Sequence, residues 1–484
     1  MVKKTTPNNG IRSHEERAAV LAKLKADGGE WISMPPDYTT FSRDNILTKL
    51  DKVRDAVLSE TDSDPTEVEK AYRKSQYFTN SSFDFYEGTK DLGRRIERAF
   101  IVPMRSTRLD NDEISSGSGY ASESTPFYPL YDPIRFGVPS EIRMRGMYGL
   151  PPSILDTYLK SSDDRETGAL VLSPVYTDMT RDIRSDKESM AQRIRLMEVG
   201  AFVLEKTAQF AHLRLGAKVI GLGATLPKIT HFGQALRSMN GMENMTTTTG
   251  HGGTVHMIVE TARKVMEETS IESHGKIGVI GGAGSIGWSS TATTLDMIPD
   301  HQIISFDINK TRLYGKIGNE RVGDRVSVAE CAADVLRNTN IILTAITGRI
   351  NLDDEEYKDL DLTGKVIIDD SQPGCFDAAQ VEAKGGKLVW VVGEDDSSSQ
   401  FITRDGYYTD GVPYSYGSHS GLFGNQSEFA CGQEAAVIAR SGEYHKAITS
   451  EVEPRNVRLI SELFHAAGVR VAPFQAFGQR VHID

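Results

Sequence analysis

Three short stretches of this 484-residue chain combine residue types and spacings that can do chemistry. In the first, SEFACGQEAAVIA (427–439), Cys431 stands where the first turn of a helix should begin, after polar Ser427 and Glu428 and before the breaker Gly432. A free thiol is only a few per cent ionised at neutral pH. A helix N-terminus offers unpaired N–H groups and partial positive charge, so the placement predicts a lowered pKa and a nucleophilic Cys431. Each unit of lowering requires about 1.4 kcal/mol of differential stabilisation, within reach of a helix end plus one N–H bond. Gly432 leaves room for a carbonyl to approach the backbone. Packing as a small core residue is the ordinary alternative for a lone cysteine. Cys375, in DDSQPGCFD, is the rival nucleophile, and Cys331, in AECAADVL, falls on an apolar helical face.

The second stretch is KIGVIGGAGSIGWSSTATTL (276–295). An apolar strand over 277–280 runs into Gly281, Gly284 and Gly287, and a helix follows. The first glycine permits the tight turn, the second lets backbone N–H groups approach a pyrophosphate, and the third allows close helix–strand packing. A further strand, HQIISFD (301–307), ends in Asp307, where an acid meets the adenosine ribose hydroxyls. A carboxylate there bonds the 2′-hydroxyl of NAD and repels a 2′-phosphate. Lys310 and Arg312 come slightly later and can reach a phosphate, so NADP stays open beside NAD. Ser285, Ile286, Arg312 and Thr347 complete the candidate cofactor contacts. A doubly wound domain that binds no nucleotide is the bland alternative.

The third stretch, TTTTGHGGTVHMIVETARKVMEE (246–268), is a Thr/Gly loop feeding an amphipathic helix. Chemistry on an acyl group needs a donor for an oxyanion, and a hydroxyl from 246–249, Thr249 among them, is a candidate. Glu434 lies three residues after Cys431 on the same helix face, placed to orient a donor or to cap the helix. Among the histidines, His251 and His445 are the first candidates for proton transfer. His256 and His419 are further ones, and for each a surface or satisfied core position is the alternative. Asp369 and Asp370 mark a strand's C-terminal edge, beside the expected nicotinamide or merely fixing a loop.

The elements that must position these residues alternate strand, turn and helix from about residue 168 onward, the pattern of an α/β layer. GALVLSPVY (168–176), AKVIGLG (217–223), NIILTAIT (340–347) and KVIIDD (365–370) read as buried strands. The expected architecture is a Rossmann-type doubly wound parallel sheet, a second α/β substrate domain and a mostly helical N-terminal extension. Boundaries fall at 1–165 for the extension, 166–270 for the substrate domain, 271–398 for the dinucleotide domain, and 399–484 for a helical segment carrying Cys431. The extension holds charged helical stretches and a Ser/Gly/Pro-rich loop (109–140), with no chemical motif.

Hydrophobic content of 39% and charged content of 25% are those of a soluble globular chain. A net charge of -12 argues against a nucleic-acid partner. No apolar stretch is long enough to cross a bilayer. The start, MVKKTTPNNGIRSHEERAAV, lacks the apolar core of a secretory signal. Three scattered cysteines make no disulfide framework, so a reduced, cytoplasmic protein is expected.

In their order, AHLRLGAKVIGLGATLPKITHFG, TTTTGHGGTVHMIVETARKV, IGVIGGAGSIG, VIIDDSQP and SEFACGQEAAVIARSGEYH resemble the long-chain acyl-ACP reductases of cyanobacteria, over roughly residues 168–475. That resemblance implies reduction of a fatty acyl thioester, on acyl carrier protein or as acyl-CoA, to an aldehyde through a cysteine-bound acyl group. It implies NADPH as hydride donor, whereas Asp307 favours NADH. It puts the nucleophile on Cys431, a TTG loop on Thr248, Thr249 and Gly250, and the phosphate loop on Gly281, Gly284 and Gly287. The family's histidine after the cysteine helix is most like His445. The family carries Arg where this chain has Asp307-Ile308, and residues 1–165 lie outside the resemblance. An acidic carrier calls for a basic patch, which Lys187 and the positives from Arg193 and Arg195 to Arg214 can supply. An oily substrate makes peripheral membrane contact compatible. Two other readings stand beside this one: a dehydrogenase of the shikimate or amino-acid type with no covalent intermediate, and a non-catalytic nucleotide-binding partner.

Overall fold

The computed structural model describes residues 42–93, 95–104, 150–160, 167–176, 190–237, 241–269, 275–320, 322–371, 374–395, 399–403, 427–476 and 479–483, with a few isolated positions outside these ranges. The chain forms two compact units, one from 1–106, 124–155 and 170–247, the other from 107–123, 156–169 and 248–484.

In the first unit, α1 (Arg43–Glu60) buries Ile46, Leu50, Val53 and Val57, a helical stripe. The next helix, α2 (Pro65–Tyr86), starts at Asp64, whose carboxylate accepts from Thr66 N at 2.8 Å, and has Pro65 in its first turn. There follow β1 (Arg98–Met104), β2 (Ser153–Lys160), of which 153–155 lie in this unit, β3 (Thr167–Tyr176), of which 170–176 do, α3 (Met190–Gln209), β4 (Val219–Leu222) and β5 (Thr246–Thr248), with sheet order β3-β1-β4-β5. β1 runs parallel to β4, from Arg98 opposite Val219 to Ile101 opposite Leu222. Residues 98–104, expected in an N-terminal extension, are thus an inner strand of the α/β sheet. Short apolar strands such as AFIV gain their partners only from distant chain, which local spacing does not reveal. Lys187, His419, most of 109–140 and the side chains of Arg193 and Arg195 lie outside the described residues.

The second unit begins with α4 (His251–Glu268) and continues β6 (Lys276–Ile280), α5 (Ser285–Met297), β7 (Gln302–Phe306), α6 (Lys310–Glu320), β8 (Val326–Val328), α7 (Ala332–Asn338), β9 (Ile341–Thr344), β10 (Val366–Asp369), α8 (Ala378–Ala383) and β11 (Lys387–Trp390). Its main sheet has the order β8-β7-β6-β9-β10-β11, with every pairing parallel. Counted from β6, that is 3-2-1-4-5-6, the doubly wound Rossmann order whose switch point lies between β6 and β9. The strands are near-continuous apolar runs because helices cover both faces. Ile342, Ile367, Val335, Leu336 and Trp390 lie in one buried cluster. Cys331 stands at the N-cap position of α7, half-buried and packed against this cluster.

After β12 (Val392–Asp395), β13 (Ser399–Thr403) pairs antiparallel with residues 156–160. β14 (Ser427–Phe429), α9 (Ala430–Ser441), α10 (Pro454–Ala466) and β15 (Val469–Val471) follow, and β14-β12-β15 form a small antiparallel sheet. Both α9 and α10 pack on α4. The stripe Val457, Ile460, Leu463 and Phe464 faces inward, and Glu453 and Asn456 close a capping box. No helix among the described residues is long and apolar enough to cross a membrane.

Candidate functional site

The turn after β6 is built from glycines that nothing larger replaces. Gly281 adopts φ +94°, and its N–H and that of Gly282 both donate to Phe306 O, at 2.8 and 3.0 Å. A Cβ on Gly282 would meet Ser305 Oγ at 2.0 Å, and one on Gly287 would meet Gly281 O at 2.2 Å. The working spacing is therefore Gly282-x-Gly284-x-x-Gly287, with Gly281 adding the turn. Gly282 was legible in GAGSIG, but a triplet counted from Gly281 passes over it. Gly284 is the N-cap of α5 and brings no capping side chain. The first-turn N–H groups of Ser285, Ile286 and Gly287 are then left for an external anion.

Asp307 follows β7 and anchors this loop. Its Oδ2 accepts from Ala283 N at 2.9 Å and its Oδ1 from Asn309 N at 2.8 Å. Ser285 Oγ accepts from Val452 N at 2.9 Å, and Ser289 Oγ donates to Val452 O at 2.7 Å, so the chain before α10 is fastened to α5. Arg312 lies 3.0 Å from Glu451. Thr347 sits half-buried in the loop past β9, which ends at Thr344, three residues before the expected strand end. A cradle that any Cβ would fill, an uncapped helix start and an acid at the end of the neighbouring strand β7 all fit a dinucleotide.

Cys431 is the second residue of α9. β14 brings it there: Phe429 pairs with Val392 and its ring lies 6.1 Å from that of Trp390, which in turn pairs with Asp369 at the end of β10. The thiol is half-buried, packed against the sheet's apolar cluster at the carboxyl end of the strands. Gly250, at φ +74°, turns the Thr loop directly against it, and a Cβ there would meet Cys431 Cβ at 2.4 Å. A Cβ on Gly432 would meet Glu428 Oε1 at 2.2 Å, so the room that Gly432 leaves is filled by this carboxylate.

Electrostatics at Cys431 run opposite to the expectation. Burial raises the thiol pKa well above its ordinary value, with the charges of Asp370, Glu428 and Glu434 adding to the effect, while the Gly432 N–H pulls the other way. A helix end acts within one turn and is outweighed by desolvation and three nearby carboxylates. Asp370 is itself raised well above the carboxylate range by burial and by Asp369. Neither Asp370 nor Glu428 stands out in sequence as a partner of Cys431; their proximity exists only in the folded sheet.

Glu434 is fully buried. It accepts from Gly253 N at 2.7 Å and from Thr248 Oγ1. The carboxylate thereby serves the N-terminus of α4, not that of its own helix. Burial raises its pKa, against which these hydrogen bonds work. Ile448 N donates to Thr248 Oγ1 at 3.1 Å and Thr249 N to Ile448 O at 3.0 Å. Thr249 is buried, and its Oγ1 accepts from the N–H of His251 at 3.3 Å. These threonines fasten the loop. His251 opens α4, next to Gly250.

His445 stands on an exposed turn, 77% accessible, with Glu443 at 3.7 Å, and not against the thiol. His256 is buried, shares a hydrogen bond of 2.9 Å with Ser461 Oγ, and is pushed down to about 3, by burial first and then by His465 and Arg263. Cys375 is fully buried, its Sγ 3.3 Å from Asp369 Oδ1 and 3.4 Å from Thr344 Oγ1. Burial lifts its pKa well above the ordinary value. Asp369 fixes the loop, accepting from Ser371 N and Cys375 N, each at 2.8 Å.

No protein-family model matches the chain, and no curated protein matches it. Among solved structures it is similar to the Δ1-pyrroline-2-carboxylate reductase of Thermococcus litoralis, at 16% identity and TM-score 0.21, covering 26% of this chain and 40% of that one. The D-arabinose dehydrogenase of Sulfolobus solfataricus matches at 15% and 0.23, covering 40% and 50%. L-tryptophan dehydrogenase of Nostoc punctiforme matches at 7% and 0.26, covering 77% and 89%. The first two matches thus span 40% and 50% of those chains' lengths. The Rossmann class stands on this chain's own strand order and glycine turn.

Proposed function

We propose that the protein is a nicotinamide-dependent oxidoreductase that reduces an acyl thioester, of acyl carrier protein or of CoA, to an aldehyde, with Cys431 carrying the acyl group. One observation supports this most: Cys431 lies at the carboxyl end of β10, beside Asp370, on the sheet edge where a Rossmann fold holds its nicotinamide. A thiol kept neutral needs a base, and the carboxylate of Asp370, its pKa raised by burial and by Asp369, is a suitable one. As Cys431 Sγ bonds to the thioester carbon, its proton passes to Asp370, and the carrier sulfur leaves with the bonding pair and takes up that proton. A reduced nicotinamide, when bound, supplies hydride to the acyl carbon. Hydride addition leaves a tetrahedral oxyanion on the former acyl carbon, which needs N–H or hydroxyl donors. Collapse of that tetrahedral adduct frees the aldehyde and expels Cys431 as thiolate, which takes a proton from solvent.

The test is turnover of acyl-CoA thioesters of graded length with NADH and with NADPH, trapping aldehyde as a hydrazone. Aldehyde that forms with the wild type and vanishes in Cys431→Ala supports the proposal; no aldehyde from any thioester refutes it. The raised thiol pKa favours one alternative, a dehydrogenase in which no covalent species forms. It predicts oxidation or reduction of a small substrate that survives Cys431→Ala.

A further inference from the structure

We infer that Glu451 selects a dinucleotide with a free 2′-hydroxyl by occupying the cations that a 2′-phosphate would need. The inference rests on the dinucleotide reading of the glycine turn. In sequence, Lys310, Arg312 and Lys316 crowd the start of α6 just after Asp307, as in a phosphate site. In the folded unit each faces a carboxylate. Lys310 pairs with Glu330. Arg312 Nη2 lies 3.0 Å from Glu451 Oε1, and Lys316 Nζ lies 3.6 Å from Glu451 Oε2, so one carboxylate bridges both.

Glu451 comes 139 residues after Arg312 and is held there by its neighbour. Val452 is bonded through both N–H and C=O to Ser285 and Ser289, at the start of the helix that faces the pyrophosphate. A 2′-phosphate arriving beside Asp307 would have to displace Glu451 and approach Asp307 and Glu330 as well. A 2′-hydroxyl needs only an acceptor, which Asp307 provides. The sequence therefore offers cations that the fold withholds.

The experiment is a titration of the full chain with NADH and NADPH, followed by the fluorescence of the bound reduced nicotinamide, with no turnover required. The wild type should bind NADH more tightly. Glu451→Gln should tighten NADPH by about fivefold, as expected for releasing exposed charges, and leave NADH within about twofold. Adding Arg312→Gln and Lys316→Gln to that variant should abolish the gain, with an unchanged melting temperature showing that the fold is intact. An unchanged NADH-to-NADPH ratio in Glu451→Gln, or a wild type that prefers NADPH, overturns the inference alone. A wild type that binds neither overturns the dinucleotide reading and this inference with it.

Discussion

Replacing Gly250 by Ala tests how the Thr loop seats Cys431. At φ +74° an alanine pays the left-handed penalty, roughly 1–2 kcal/mol. Its Cβ would also stand 2.4 Å from Cys431 Cβ and 2.7 Å from both Cα and O of the same residue. Backbone and Cβ cannot swing away as a flexible side chain does, so the overpacking term of about 1–3 kcal/mol applies in full. The sum, about 2–5 kcal/mol, corresponds to a fall of at least about 4 °C in the melting of a unit this size. Because the intruding atom pushes on Cys431 itself, the rate at which iodoacetamide labels that thiol should change in parallel, read by peptide mass spectrometry. Gly315→Ala is the control: α6 is helical there, nothing lies within 4 Å of the added methyl, and stability should hold or rise by about 0.5–1 kcal/mol. If Gly250→Ala melts with the wild type and labels at the same rate, the loop does not abut Cys431 as described.

Asp370→Asn should speed alkylation of Cys431 near neutral pH, by roughly three- to fourfold for each unit the thiol falls, since a lower pKa also weakens the nucleophile; equal rates would remove Asp370 from the thiol's surroundings. Gly282→Ala should abolish dinucleotide binding through its contact with Ser305 Oγ, and Ser305→Ala in the same chain should restore much of it; a single variant that binds normally would contradict the close packing of the turn. His256, held at about 3 against an ordinary 6.5, refuses a proton that the unfolded chain accepts between those values. Its contribution to stability is complete above pH 6.5 and is lost as pH falls toward 3, by up to about 1.4 kcal/mol per unit, so denaturation curves of His256→Gln should show a shallower acid slope than the wild type.

Local pattern carried the dinucleotide half of this molecule well. IILT and VIID are fully buried, KIGVI is buried after Lys276 and QIISF alternates buried with half-buried positions, all of them parallel, and GAGSIG leads into α5 as its spacing requires. Cys431 at a helix start was equally readable, because Gly432 and the run AAVIA mark the element. Its charge state was not. Asp370 precedes Cys431 by 61 positions in the chain, and no periodicity links them. For Glu434 the spacing left open whether it orients a donor or caps α9, and only the fold shows its carboxylate accepting from Gly253 N and Thr248 Oγ1 on other elements. Lys310 and Arg312 suggest a phosphate site until Glu330 and Glu451 arrive from elsewhere in the chain. Spacing finds residues within one element, and pairing across elements sets their electrostatics.

The most direct measurement is the intact mass of the protein after incubation with an acyl-CoA and no dinucleotide. A mass increase of one acyl group that maps to Cys431, is removed by hydroxylamine and is absent from Cys431→Ala is the expected result. A chain that gains no acyl group, or that gains it equally without Cys431, contradicts covalent catalysis at this thiol.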